Sequence, residues 1–233
     1  MLGRLLLLCG LLCVGPADAG WSGELEFGYL ASSGNTQTES LNGKFGLDYA
    51  GDQWKNALIA SGVYTTDEGE TSAERYAAAD TLSCDVTARD YLFAAVDWEK
   101  DLFGGVRERL SESAGYGRHV LMGPTHKLDV EFGAGVRQTQ ANDTGERQND
   151  TIVRGKAAYQ LALSETSRFR QSLKAESGES NTYVEFLSEL KLAIVGQLYA
   201  VLSYTVHHNS DVPPGNEKTD TFTAVNLSYS FGK

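Results

Sequence analysis

The stretch of sequence that decides the fold is TDTFTAVNLSYSF, residues 219–231. Its odd-numbered positions from Thr221 to Phe231 are mostly apolar, whereas even-numbered positions such as Asn226 and Ser228 are polar. Because successive side chains of a strand point to opposite faces, this alternation predicts a strand with one apolar and one polar face. The same two-residue period recurs in short segments back to Trp21.

Twelve such segments can be counted, separated by clusters of Gly, Asn, Asp, Ser and Thr. They span residues 21–31, 40–49, 54–64, 75–85, 91–100, 107–118, 127–137, 153–161, 168–176, 184–192, 198–206 and 220–231. The fourth is placed mostly by its spacing, and the sixth is the most polar. Lengths of about 9–12 residues suit tilted strands that cross a bilayer. The pattern predicts an all-β protein, an antiparallel up-and-down transmembrane β-barrel of twelve strands.

The first residues have the features of an export signal. Arg4 precedes an apolar run at residues 5–14, and Ala17-Asp18-Ala19 is typical of a cleavage site. We therefore expect a signal peptide at residues 1–19 and an outer-membrane β-barrel at residues 20–233. Cleavage would leave Cys84 as the sole cysteine, so no intramolecular disulfide is expected.

Charge and hydropathy exclude two classes of protein. The formal net charge of −11 argues against nucleic acid as a partner, since nucleic-acid binding needs a basic patch. After the signal there is no long apolar run, which excludes a helical membrane protein. Strands that span a bilayer remain compatible with this composition, because half of their residues face water.

An even strand number places both ends of the barrel chain on the periplasmic side. The longer, more polar connections then fall mostly outside the cell, as in other outer-membrane barrels. Aromatic residues near strand ends predict girdles at the two membrane interfaces. They are Trp21, Tyr49, Trp54, Tyr64, Tyr91, Phe93, Tyr116, Tyr159, Tyr204, Tyr229 and Phe231.

The polar faces of the clearer strands predict the residues that line the lumen. These candidates are Glu24, Glu26, Lys44, Asp48, Asp129, Glu131, Arg137, Arg154, Lys156, Arg168, Arg170, Lys174 and Glu176. Basic residues cluster on the eighth and ninth segments and acidic ones on the first and seventh, so a transverse field would favour polar and charged solutes. Alternatively, the same charges pair and plug the lumen. Twelve strands lie between filled eight-stranded and open sixteen-stranded barrels, so both remain open.

One short stretch contains the residue types of a hydrolase, His207-His208-Asn209-Ser210-Asp211. A catalytic triad needs convergent side chains, whereas neighbours on a strand point to opposite sides. The histidines also lack the spacing of metal ligands. We therefore predict that the chain is not an enzyme and binds no cofactor or metal, with a membrane-embedded hydrolase as the second alternative.

Several motifs of the chain are familiar. They are Gly28-Tyr29, Ser33-Gly34-Asn35-Thr36, Glu74-Arg75-Tyr76, Gly115-Tyr116-Gly117-Arg118, Arg168-Phe169-Arg170-Gln171, and residues 204–215 continuing to Thr221. Through them the chain resembles the YdiY-like family, described as salt-induced outer-membrane proteins and as a domain of unknown function. The resemblance implies a β-barrel in the outer membrane of a Gram-negative bacterium, with no established activity. Gly232-Lys233 after Phe231 departs from the aromatic residue on which such barrels commonly end.

The expected function is a small passive, porin-like pore or an envelope-maintenance barrel, linked to salt or osmotic stress through the resemblance alone. The first alternative is a plugged barrel that acts as a structural or adhesive scaffold through its outer loops. Expected partners are outer-membrane lipid, the outer-membrane assembly machinery, and small ions or polar solutes.

Overall fold

The computed structural model describes residues 20–32 and 38–232, and within these ranges the chain forms twelve strands and no helix. It follows that no helix in these ranges is long and apolar enough to cross a membrane. The predicted signal peptide at residues 1–19 and the motif Ser33-Gly34-Asn35-Thr36 lie outside the described residues.

The strands follow one another along the chain with short connections. They are β1 (Gly20–Ser32), β2 (Thr38–Ala50), β3 (Trp54–Asp67), β4 (Glu70–Asp85), β5 (Asp90–Asp101), β6 (Val106–Met122), β7 (His126–Ala141), β8 (Arg147–Ala162), β9 (Ser167–Ser177), β10 (Thr182–Val195), β11 (Leu198–Asn209) and β12 (Thr219–Gly232). Several are longer than the alternating segments. Strand β8, for example, begins at Arg147, because backbone pairing with β7 continues beyond the last apolar side chain.

Each strand pairs antiparallel with its sequence neighbours, and β1 pairs with β12 to close the barrel. At this seam Gly23 lies opposite Phe231, whose ring covers the space that a Cβ at position 23 would need. The predicted fold is thus confirmed: an all-β, antiparallel, up-and-down barrel of twelve strands.

The apolar face of the sheet points outward. Leu25, Phe27 and Tyr29 are 51%, 58% and 59% exposed, while Glu26 between them is 6% exposed. A water-soluble protein rarely exposes an apolar surface of this extent, whereas a barrel in a bilayer turns such a surface to lipid. The interior therefore holds the polar side chains.

The predicted aromatic girdle is wrong at two positions. Tyr91 and Phe93 point inward and are 5% and 4% exposed, because they share a face with Asp97 and Glu99 rather than with the lipid-facing Leu92. Glycines of neighbouring strands leave room for their rings: a Cβ at Gly117 would lie 2.2 Å from the Tyr91 ring. Other girdle aromatics are exposed on the outer face, namely Trp21, Trp54, Tyr64, Tyr116, Tyr204 and Tyr229.

Two carboxylates interrupt the apolar outer face near mid-strand. Asp80 on β4 and Glu112 on β6 lie on either side of Val96 on β5, at the same level of the barrel. Asn56 Nδ2 donates a hydrogen bond to Asp80 Oδ1 at 2.7 Å. These side chains explain why the fourth and sixth segments alternate poorly.

Candidate functional site

Strand register places all thirteen predicted lumen residues on the inward face of the sheet. In the strand register Glu26 lies opposite Lys44 between β1 and β2, and Glu131 lies opposite Lys156 between β7 and β8. Arg154 pairs in turn with Glu176 on β9. The interior is therefore charged at every level, and the question is which of these charges meet one another.

One group, the Lys44 cluster, joins β1, β2 and β10. Lys44 Nζ lies 3.0 Å from Glu26 Oε1 and 3.1 Å from Glu189 Oε2. Lys191 of β10 forms a similar ion pair with Glu24 of β1. Because β2 and β10 are not neighbours in the barrel, Lys44 spans part of the lumen rather than one rung of the sheet.

A second group, the Arg109 cluster, fills the interior toward the connection between β5 and β6. Glu99 accepts Arg109 Nη2 at 2.5 Å and Arg75 Nη2 at 2.9 Å. The Arg109 guanidinium carbon lies 3.5 Å from the centroid of the Tyr183 ring on β10. Tyr183 is 2% exposed, so the side chains of this cluster pack closely around its ring.

A third group, the Glu176 cluster, connects β6, β7 and β9. Ser111 Oγ donates to Glu176 Oε2 at 2.9 Å, and Arg137 Nη2 lies 3.0 Å from Asp150 Oδ2. Lys174 of β9 reaches across to Asp97 of β5, with Nζ 2.9 Å from Oδ1. Arg137 and Glu176 are each 1% exposed. Charges buried to this degree need partners, because pairing offsets the cost of removing them from water.

These clusters leave little space at the outer level. Residues of the Arg109 cluster, together with Asp101, Glu217 and Asp220, enclose a cavity of about 20 Å³. A cavity of that size holds roughly one water molecule. It is too small for an organic solute in this conformation.

Strands β3 and β4 form a different wall, made of small side chains. Its inward residues are Ala57, Ile59, Ser61, Val63, Ala77, Ala79, Thr81 and Ser83. Although it faces the interior, Ile59 is 44% exposed. Solvent-accessible space therefore persists inside the barrel along this wall.

Prediction from sequence missed the Arg109 cluster. Arg75 and Arg109 are absent from the predicted lumen set because the fourth and sixth segments gave no clear phase, and Glu99 of the fifth segment is not included either. A usable signal was present in the fifth segment, where Asp97 and Glu99 alternate with lipid-facing Val96 and Trp98.

The histidine stretch does not assemble a triad. His207 points inward, 9% exposed, with its ring centroid 5.9 Å from that of Tyr183 and 5.5 Å from that of Phe222. His208 points to the other side, where its Nδ1 lies 2.9 Å from Thr219 Oγ1. Ser210 Oγ instead donates to Asn181 Oδ1 at 3.1 Å. Among the described residues no group of three or more His, Cys, Asp or Glu side chains could hold a metal ion.

Comparison with known proteins gives a family and a fold. The family model described as "Protein of unknown function, DUF481" matches residues 25–231. The "Uncharacterized protein YdiY" of Escherichia coli strain K12 is 34% identical over 218 residues, which cover 92% of this chain and 86% of that protein.

Solved structures with a similar fold are outer-membrane proteins. An outer-membrane channel from Pseudomonas putida F1 aligns with a TM-score of 0.50 at 10% identity, over 94% of this chain and 100% of that chain. The NanC porin aligns with a TM-score of 0.48 at 12% identity, over 90% and 97% of the two chains. At such identities the likeness to the Pseudomonas channel extends to the fold alone.

Proposed function

The chain belongs to the DUF481 family of proteins of unknown function, and on that premise we propose that this outer-membrane barrel is a narrow passage for small ions and polar solutes. The observation that carries the proposal is the open space beside the β3–β4 wall, where the inward-facing Ile59 is 44% exposed. Small side chains on one wall and charged side chains on the others are suited to a water-filled path.

The passage is narrow because paired charges occupy the rest of the interior. Lys44, Arg109 and Lys174 each reach a partner on a strand that is not their neighbour. Such contacts support a small conductance and would exclude large solutes. Higher ionic strength should weaken those ion pairs that water can reach, because salt screens their charges. A link to salt or osmotic stress is therefore part of the proposal: passage should widen as ionic strength rises.

A second candidate function is the plugged scaffold, which acts through its outer loops. The small cavity at the Arg109 cluster favours it, because the space enclosed there holds roughly one water molecule. We propose further that the protein is not an enzyme. Two observations support this proposal. His207 and His208 point to opposite faces of β11, and Ser210 donates its hydrogen bond to Asn181 rather than to a histidine.

Measuring the single-channel conductance of the refolded protein in a planar bilayer distinguishes the narrow passage from the plugged scaffold. The matched variants are Ile59→Trp, which fills the open space, and Leu58→Trp, which adds the same ring to the outer face. We expect discrete steps from the wild type, a clear reduction with Ile59→Trp, and wild-type steps with Leu58→Trp. Silence from a barrel shown to be folded would contradict the passage and favour the scaffold.

A further inference from the structure

We propose that the half of the lumen near the β8–β9 connection holds an anion site at Arg168 and Arg170, with Lys156 as a further cation deeper along β8, and that the passage takes small solutes bearing carboxylate or phosphate groups. The solute class rests on the proposed function, whereas the site itself does not. Three properties of these side chains support it: their incomplete neutralisation by carboxylates, their spacing and the surface that they face.

Nearly all other cations on the inward face are neutralised. Those with a carboxylate oxygen within 4.0 Å are Lys44, Lys55, Arg75, Arg109, Arg137, Arg154, Lys174 and Lys191. Within residues 20–32 and 38–232, Arg168 and Lys156 have no carboxylate at that distance. Arg170 has one at 3.7 Å, Glu189, which Lys44 already holds at 3.1 Å.

The three cations form a ladder along adjacent strands. Arg168 and Arg170 both point inward on β9, and Gln160 of β8 lies opposite Arg170. Lys156 lies four residues from Gln160 along β8. Strand geometry separates the two arginines by about 7 Å and Gln160 from Lys156 by about 13 Å. An anion can therefore be passed between cations over a distance comparable to half the membrane.

The ladder is accessible and faces the open space. Arg168 is exposed, and the Arg170 side chain is 44% exposed although it points inward. In a closed barrel of twelve strands β9 is six positions from β3, so the arginines lie opposite the small side chains of the β3–β4 wall. A guanidinium group can bind a carboxylate or phosphate through two parallel hydrogen bonds, and that of Arg168 has no carboxylate within 4.0 Å in the described ranges.

Nearby negative charge is sparse. Among the described residues, Asp48 on β2 has no cation within 4.0 Å, and Asp129 on β7 meets only the imidazole of His119, at 2.6 Å. Lys127 adds positive charge, because it also faces inward at this end and has no carboxylate within 4.0 Å in the described chain. The unpaired charge of this half is therefore positive, and a confined positive field raises the local concentration of anions.

Two measurements test the proposal, both with the complete folded barrel. Citrate binding by titration calorimetry detects the site whether or not the barrel conducts. The reversal potential in a KCl gradient reads the preference for anions. The test variant carries Lys156→Gln, Arg168→Gln and Arg170→Gln. The control is Arg118→Gln, at the same end of the barrel but on the outer face.

We expect wild type and Arg118→Gln to bind citrate and prefer chloride. The triple variant should bind citrate about tenfold more weakly, since it loses the charged donors. Its reversal potential should move toward that of potassium. Absence of citrate binding, or equal binding by the triple variant, would overturn the anion site. Citrate binding by a folded but silent barrel would uphold the site and contradict the passage instead.

Discussion

Arg109 and Tyr183 meet across the interior of the barrel, with the guanidinium carbon of Arg109 3.5 Å from the centroid of the Tyr183 ring. Their strands, β6 and β10, are four positions apart in the closed sheet. Lys174 Nζ also approaches this ring, at 5.7 Å from its centroid. Tyr183 thus stands between two cations and occupies space that would otherwise be water.

Removal of this ring should enlarge the passage. We expect Tyr183→Ala to raise single-channel conductance about twofold or more, because a pore's conductance follows its narrowest section. Glu99 keeps both of its arginine partners in this variant, so no buried charge loses its ion pair. Tyr204→Ala, which removes an outward-facing ring, is the control. Unchanged conductance in Tyr183→Ala would show that the limiting section lies at another level.

The lipid-facing carboxylate of Glu112 should destabilise the barrel. Its cross-strand neighbours on the outer face are Val96 and Val136, neither of which can satisfy a charge. We expect Glu112→Leu to increase the free energy of unfolding in lipid vesicles by about 1–2 kcal/mol, because an acidic side chain facing lipid destabilises a barrel less than a basic one at the midplane does. The measurement is reversible chemical denaturation, with Val96→Leu as the apolar control. Destabilisation by Glu112→Leu would mean that the carboxylate has a partner within the membrane.

Gly135 is required where β6 and β7 approach closely. A Cβ at this position would lie 2.0 Å from the backbone oxygen of Glu112 and 2.8 Å from Cα of Ser113. Because backbone atoms must move to admit it, Gly135→Ala should lower the free energy of unfolding by about 1–3 kcal/mol. Gly155→Ala is a matched control, since its Cβ would meet nothing within 4 Å. Equal stability of the two variants would show that the strands separate at little cost.

A charge on the outer face should hinder membrane assembly according to its depth. Leu202 is 48% exposed in the middle of β11, and Val130 is 40% exposed nearer the end of β7. We expect Leu202→Arg to destabilise the folded barrel by about 2–4 kcal/mol and Val130→Arg by less. The folded fraction of each can be read from heat-modifiable migration in electrophoresis. Normal yields of both would contradict the lipid-facing assignment.

The two-residue period made the fold predictable because it is a local property. Alternation such as that of residues 219–231 sets which face of a strand is apolar, and short connections make neighbouring strands antiparallel. Where a polar residue faces lipid, as Asp80 and Glu112 do, the local signal fails and the phase of the segment becomes uncertain. Tyr91 and Phe93 show a second kind of error. Aromatic side chains can face lipid or lumen, so only their odd or even position along the strand shows which face they take.

Contacts across the lumen could not be predicted in the same way. Lys44 and Glu189 are 145 residues apart along the chain and share no rung of the sheet. Their meeting depends on strand number, tilt and closure together, none of which any single segment encodes. Where alternation is clear, the sequence therefore predicts which charges face inward. Which of these charges are paired, as Lys44 is, and which are not, as for Arg168, depends on the closed barrel.

The seam between β1 and β12 has a consequence for the order of folding. The register Ser22 to Gly232 joins the first described strand to the last, so β1 keeps one unpaired edge until β12 has arrived. An exposed strand edge invites pairing with other chains, and pairing between distant segments is slow. Closure therefore waits until β12 is in place, and until then the free edge of β1 can pair with other chains.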